Sequence, residues 1–315
     1  MAGKIATRNV YGQSLVELAE KYPELVVLDA DLAGATMTKA FGEAYPERFF
    51  DCGIAEANMT GIAAGLAASG FKPFTNSFAI FSTGRAYEQV RNSVAYPELN
   101  VKIVGSHGGV SVGEDGATHQ CIEDFALMRA IPGMLVCCPC DGHEMKLAVE
   151  ALLNYEGPAY LRLQRPATEI VTDEIEGYSF ELGKGVTLRG GSDVSLIAVG
   201  IMVPAALKAA DILAAEGIPA RVIDMHTIKP LDEELVLKAA RETGCIVTSE
   251  EHSIIGGLGS AVCEYLSAAC PVPVVRHGVK DQFGRSGTAT AVLEYFGLTP
   301  EGLAEKAREA LKLKK

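Results

Sequence analysis

The sequence predicts an α/β protein of two doubly wound domains, a larger one with a mostly parallel sheet followed by a smaller one. Short β-branched runs alternate with longer segments of helical spacing, which is the rhythm of parallel α/β folds. The alternation breaks once, near residue 173, at the polar, glycine-punctuated stretch TDEIEGYSFELGKG. The length of 315 residues also suits two domains. We expect a first domain over residues 1–172, a linker over 173–190 and a second domain over 191–315.

In the first half, LVVLDAD (25–31), VKIVGS (101–106), MLVCCP (134–139) and AYLRL (159–163) read as buried strands. Between them, EANMTGIAAGLAAS (56–69), RAYEQVRNSVAY (85–96) and GHEMKLAVEALLNY (142–155) place apolar residues at helical spacing, with Gly, Pro or Asp at their ends. The break near 173 suits a linker or a short hairpin. A second alternation follows, with strands VSLIAVG (194–200), PARVIDM (219–225), GCIVTSE (244–250) and VPVVRH (272–277). Helices at about 202–216, 231–242, 257–269 and 286–296 separate them. There is no repeat and no low-complexity tract.

Composition narrows the function. Hydrophobic residues make up 48% and charged residues 22%, ordinary for a globular protein. The net charge of −12 argues against nucleic acid as a partner, because phosphate backbones reward basic faces. Small phosphorylated ligands stay open, since a few arginines hold them locally. No apolar run approaches the ~20 residues of a membrane helix, and MAGKIATRNVYG carries no signal-peptide core. We expect a cytoplasmic protein with no membrane contact. Cys137, Cys138 and Cys140 in MLVCCPCD lack zinc-site spacing and read as buried thiols acting as small hydrophobes. With no secretory signal, disulfides are not expected.

Three stretches are candidates for chemistry. HGGVSVGEDGATHQ places His107, Glu114, Asp115 and His119 among four glycines directly after a predicted strand. Ligands of open parallel sheets bind outside the strands' carboxyl ends, and glycines let the backbone approach them. A polar surface turn is the plainer reading. His107 and His119 are twelve residues apart, which matches no common metal-ligand pair. In FFDCGIAEANMTGIAAGLAASG, Glu56 opens a helix rich in Ala and Gly, where the helix dipole favours a carboxylate. Taken alone, it also fits an ordinary first-turn glutamate. In NSFAIFSTGRAYEQVR, Phe78 and Phe81 are three apart, a spacing that by itself suits core packing.

Together, DCGIAEANM, PFTNSFAIFSTGRAYEQVR, GSHGGVSVGEDGATHQCIEDFALMR and YLRLQRP resemble the pyrimidine-binding domain of transketolase. RVIDMHTIKPLD and EEHSIIGGLGSAV resemble its C-terminal domain, so the likeness runs from about Ala6 to Phe296. The Gly-Asp-Gly motif with which transketolases hold the cofactor's diphosphate and Mg²⁺ does not occur in this sequence. The chain therefore resembles the C-terminal subunit of split transketolases. That implies thiamine diphosphate as cofactor, with Mg²⁺ ligands on an N-terminal diphosphate-binding partner subunit. It also implies an α₂β₂ assembly with a contact between copies of this chain, and sugar phosphates as substrates. The implied reaction moves a two-carbon ketol unit from a ketose to an aldose, as in the pentose phosphate pathway.

By this resemblance, Glu56 hydrogen-bonds N1′ of the aminopyrimidine, which favours the imino form that removes the thiazolium proton. Phe78 and Phe81 flank the ring, and Gly84 stands where some members carry a further aromatic. Asp31 matches an acidic residue near the cofactor. His107, Asp115 and His119 match substrate-facing groups, with Asp115 on an acceptor hydroxyl and His119 assisting proton transfer at the nascent carbonyl. Arg8 and Arg165 match the arginines that grip the substrate phosphate, with Arg162 as an alternative to Arg165. Several members share that site with a serine, where this sequence has Ala35 and Thr36. GGLGS lacks the third glycine of a dinucleotide fingerprint and reads as a helix start, with a dimer interface as one setting for it. Three other functions stay open: a split transketolase for an unusual branched, sulfonated or unphosphorylated ketose, a 2-oxo acid dehydrogenase β subunit, and a non-catalytic scaffold that kept the fold.

Overall fold

The computed structural model describes residues 3–314 except 174 and 176; Glu174 and Glu176, inside the expected linker, lie outside the described residues. In chain order the strands are β1 (Lys4–Ala6), β2 (Leu25–Asp29), β3 (Phe49–Asp51), β4 (Lys72–Phe78), β5 (Lys102–Ser106), β6 (Leu135–Cys137) and β7 (Ala159–Arg162). They continue with β8 (Ala167–Glu169), β9 (Val186–Arg189), β10 (Val194–Ala198), β11 (Ala220–Asp224), β12 (Thr227–Lys229), β13 (Ile246–Ser253) and β14 (Val274–Val279). One sheet has the order β12-β6-β7-β5-β4-β2-β3, the other β14-β13-β10-β11-β9, and β1 pairs with β8. Each large sheet is parallel except at one edge, β12 on β6 and β9 on β11. The fold is α/β with two parallel-sheet units, as the alternation predicted.

Strands β2, β5, β6 and β7 are buried along their whole length, because helices cover both faces of a parallel sheet. Strand β4 was not foreseen as a strand, since KPFTNSF is too polar to read as one. Its polarity is satisfied internally: Asn76 Nδ2 donates to the Leu28 and Phe74 carbonyls at 2.9 and 3.0 Å, and Tyr11 Oη donates to Asn76 Oδ1 at 2.7 Å. Helices Thr7–Leu18 and Pro300–Leu313 were likewise not foreseen.

The helix expected over 85–96 is irregular. A π-helical turn at Phe81–Arg85 and another at Val90–Ala95 flank a single α turn, Tyr87–Gln89. Extra residues in a helical turn re-aim side chains, often at functional sites. The expected linker ends in structure: its last part, Val186–Arg189, is an edge strand of the second sheet. GGLGS does open a helix, Leu258–Ala269, whose first amides donate to the buried Glu250 carboxylate from Leu258 and Gly259 at 2.8 Å each.

The two sheets are joined by more than the linker, because β12 follows β11 and crosses to the edge of the first sheet. Beside that crossing, Cys140 Sγ, a Glu144 oxygen and an Asp224 oxygen lie within 4.8 Å of one another. Burial and the neighbouring Glu144 charge push the Asp224 carboxyl well above the usual range, so it keeps a proton. Glu144 in turn accepts from the Cys140 amide at 2.6 Å and from the Tyr178 hydroxyl. Cys137, Cys138 and Cys140 are buried, and burial pushes each thiol up, which leaves them unreactive. No helix of the described residues is long and apolar enough to cross a membrane.

Candidate functional site

The predicted residues gather at the carboxyl edge of the first sheet, where parallel strands present their ligand-binding crevice. Phe78 ends β4, His107 follows the last residue of β5, and Arg165 lies three beyond the end of β7. Glu56 begins the helix Glu56–Ala68 after β3, and Phe81 begins the π turn after β4.

Glu56 is buried, with Ser77 Oγ donating to its Oε1 at 3.3 Å. Its Oε2 is shielded from water and has no hydrogen-bond partner among the described residues. Leaving a buried polar group unpaired costs about 1–3 kcal/mol, so each one calls for a reason, of which a functional role or a bound group is one. Ser77, which the sequence reading missed, holds this carboxylate in place. Nothing distinguishes it in sequence from the polar residues beside it.

Four rings form one wall that begins at Phe78, the chain neighbour of Ser77. Phe78 and Phe81 stack with centroids 6.2 Å apart and planes 15° apart. His107 lies 4.2 Å from Phe78, and His119 stands edge-on to Phe78 at 6.0 Å and to Phe81 at 5.5 Å. The two histidines are thus brought together on one aromatic face. A Cβ on Gly84 would meet only Ile80 Cδ1 at 3.7 Å, an ordinary contact, so the fold itself leaves room for a side chain there.

His107 is buried in a left-handed conformation, φ 59°. Burial first, then the Arg8 and Arg165 cations, push its pKa down to about 3, so the ring is neutral at pH 7. Its Nε2 lies 3.4 Å from Arg8 Nη1. A guanidinium only donates, so Nε2 is the acceptor and the proton sits on Nδ1, 2.8 Å from Ser106 Oγ.

Arg8 also donates to the Ala35 carbonyl at 2.8 Å. The turn around Ala35 is tied to the buried Asp29, which accepts from Thr36 Oγ1 at 2.7 Å, Thr38 Oγ1 at 2.9 Å and the Leu32 amide at 2.6 Å. Burial raises Asp29 to about 6. The Thr36 hydroxyl is therefore committed to Asp29.

Arg165 is half-exposed, with Nη1 donating to the Val112 carbonyl and to Glu114 Oε2 at 3.1 Å, and 4.0 Å from Asp115 Oδ2. Arg162 is buried: its Nη2 donates to the Glu251 carbonyl at 2.8 Å, its Nε lies 3.4 Å from Asp124 Oδ2, and it covers the Phe125 ring. Of the two, only Arg165 reaches the surface. Asp31 stands apart; it is exposed, at φ 61°, and its amide donates to Asp51 Oδ1 at 3.2 Å. Among the described residues its carboxylate makes no polar contact with the other predicted groups. Glu251, also missed, reaches the site from the second domain and is pushed up to about 7 by burial.

Comparisons with known proteins match both halves of the chain. The family described as transketolase, pyrimidine binding domain, matches residues 3–170, and the transketolase C-terminal domain matches residues 183–303. A solved structure titled split gene transketolase, inactive beta4 tetramer, is 50% identical, with a TM-score of 0.92 over 99% of this chain and 100% of that one. A 6-deoxy-6-sulfo-D-fructose transketolase subunit of Clostridium sp. is 48% identical over 98% of this chain and 95% of its own length. An apulose-4-phosphate transketolase subunit of Phocaeicola vulgatus is 42% identical over 98% of each.

Proposed function

The chain belongs to the transketolase family, and we propose that it is the cytoplasmic subunit that supplies the aminopyrimidine half of a thiamine diphosphate site. The observation that carries this reading is Glu56 Oε2, a buried carboxylate oxygen without a partner beside an aromatic wall. A ring nitrogen that carries a proton would complete it. The cofactor, when bound, supplies a carbon nucleophile able to carry a two-carbon ketol unit.

The chain's own residues bind, orient and move protons around that group. Glu56 shares the proton at pyrimidine N1′, held by Ser77. Phe78 and Phe81 face the ring at low entropic cost. The neutral His107 offers Nε2 toward Arg8 and the substrate, and His119 moves a proton at the substrate carbonyl oxygen. Asp115 binds an acceptor hydroxyl, and Arg8 and Arg165 bind the substrate's terminal anion. Asp31 serves the cofactor from the rim. In this division of labour, residues 1–172 bind cofactor and substrate, the expected linker 173–190 connects and ends as a strand of the second sheet, and 191–315 support them.

The diphosphate and its Mg²⁺ then fall to a separate N-terminal-type subunit in an α₂β₂ enzyme. Two relatives are named as subunits, and the split-gene relative is titled inactive as a tetramer of β chains, which supports a need for the partner. Purification of this chain from its native host tests the point. A stoichiometric second chain bearing Gly-Asp-Gly, with bound thiamine diphosphate, is the expected result; a chain that comes down alone and cofactor-free overturns it.

A second reading is a transketolase for an unusual ketose. Thr36, bound to Asp29, leaves the phosphate position without the family's hydroxyl, and relatives are named for sulfofructose and apulose phosphate. Turnover of xylulose 5-phosphate by the complete enzyme favours the pentose-phosphate role, and its absence beside turnover of a sulfonated or branched donor favours the other. Acyl transfer to a lipoyl group in place of ketol transfer would indicate a 2-oxo acid dehydrogenase.

A further inference from the structure

The loop 107–120 carries His107, Asp115 and His119, yet the second domain supplies much of what holds it. Glu251, near the end of β13, is buried and accepts the Ser111 amide on Oε1 at 2.7 Å. The loop's backbone lies directly on Glu251 and its companion Arg162. A Cβ on Gly109 would fall 2.0 Å from Glu251 Oε1, and one on Gly108 would fall 1.9 Å from Arg162 Nε. Gly109 also has φ 81°, a left-handed conformation that glycine adopts without strain. Arg162 is held in turn by the Glu251 carbonyl at 2.8 Å.

The far end of the loop is fastened to the same domain. Gln120 Nε2 donates to the Arg285 carbonyl at 2.8 Å and to the Val110 carbonyl at 3.0 Å. A Cβ on Gly113 would meet the Gly287 carbonyl at 3.1 Å, and one on Gly116 would meet Ser286 Oγ at 2.3 Å. His107 directly precedes the first of these anchored residues, Gly108, and His119 directly precedes the last, Gln120.

We propose that Glu251 is a positioning residue for the substrate loop, through which the second domain sets His107 and His119 against the cofactor wall. This rests on the ketol-transfer reading of that site. Glu251 makes no hydrogen bond or ion pair with Glu56, Ser77, Phe78 or Phe81, so its loss is expected to strike sugar handling and spare cofactor binding.

Glu251→Ala and Glu251→Gln, each assembled with the diphosphate-binding partner, test the proposal, because Gln keeps an oxygen for the Ser111 amide and Ala does not. In the Ala variant, kcat/KM for the donor sugar is expected to fall about 10- to 100-fold, with thiamine diphosphate affinity within about 2-fold of wild type. The Gln variant is expected to recover most of the loss. Hydrogen exchange on the isolated chain should show the 107–113 segment exchanging faster in the Ala variant, with the Leu25–Asp29 strand unchanged. Unchanged kcat/KM in the Ala variant overturns the proposal, as does an equal loss in both variants that follows their loss of thermal stability. If the wild-type complex transfers no ketol unit, the functional reading falls on its own. The exchange of 107–113 then decides alone whether Glu251 holds the loop.

Discussion

Replacing Glu56 by Gln separates stability from function. Glu56 Oε2 is buried and unpaired, while Oε1 keeps its bond from Ser77 at 3.3 Å. An unpaired buried polar group costs about 1–3 kcal/mol, and more when charged. A neutral amide of the same shape opens no cavity and relieves part of that cost, about 1–2 kcal/mol. In a protein of this size each kcal/mol moves Tm by about 2–4 °C, so the cofactor-free variant should melt roughly 2–8 °C higher than wild type. Ketol transfer by the assembled enzyme should fall roughly 10²–10⁴-fold, the usual contribution of a positioned proton-transfer group. Scanning calorimetry of the isolated chain reads the first effect, and a coupled assay of the complex reads the second. A lower Tm would show that Glu56 is a satisfied structural residue, and unchanged turnover would remove it from the catalytic machinery.

Arg165→Ala should raise KM for a phosphorylated donor about 10- to 100-fold with little effect on its unphosphorylated analogue; equal effects on both would reject the anion role. Arg162→Met should instead lower stability by about 3–5 kcal/mol in denaturant titration, because it leaves buried Asp124 without its cation. The His107 pKa is depressed to about 3, so its contribution to stability is present above the unfolded histidine value and is lost as pH falls from there toward the folded one. Imidazole resonances followed by NMR should show His107 uncharged through neutral and mildly acidic pH, and titration near the ordinary histidine value would contradict its burial beside the Arg8 and Arg165 cations. Asp224 is shifted the other way: its stability contribution is present at acidic pH and lost as pH rises through its raised value. Asp224→Asn should therefore gain Tm relative to wild type more in alkaline than in acidic buffer; a pH-independent difference would argue against a retained proton.

Much of the fold was legible because apolar periodicity reports burial directly. Strands β2, β5 and β10 and helices Glu56–Ala68 and Met202–Ala215 are apolar enough to announce themselves. Strand β4 was not, since its polar side chains find most of their partners far along the chain: Thr75 on the Lys102 carbonyl, Asn76 on the Leu28 carbonyl and Tyr11, and Ser77 on Glu56. The aromatic and histidine motifs were visible as spacings; that all four rings share one face was not.

By itself the sequence determined the α/β class and the two units, and offered most of the side chains proposed here to carry the chemistry, because those readings depend on local period, residue type and motif. Only the tertiary structure decided which of them are free to act. It buried Arg162 against Phe125 and Asp124, bound Thr36 to Asp29, and laid a glycine-rich loop of one domain on Glu251 of the other. Each of these rests on contacts between residues distant in the chain, and such contacts exist only once the strands have been ordered in space.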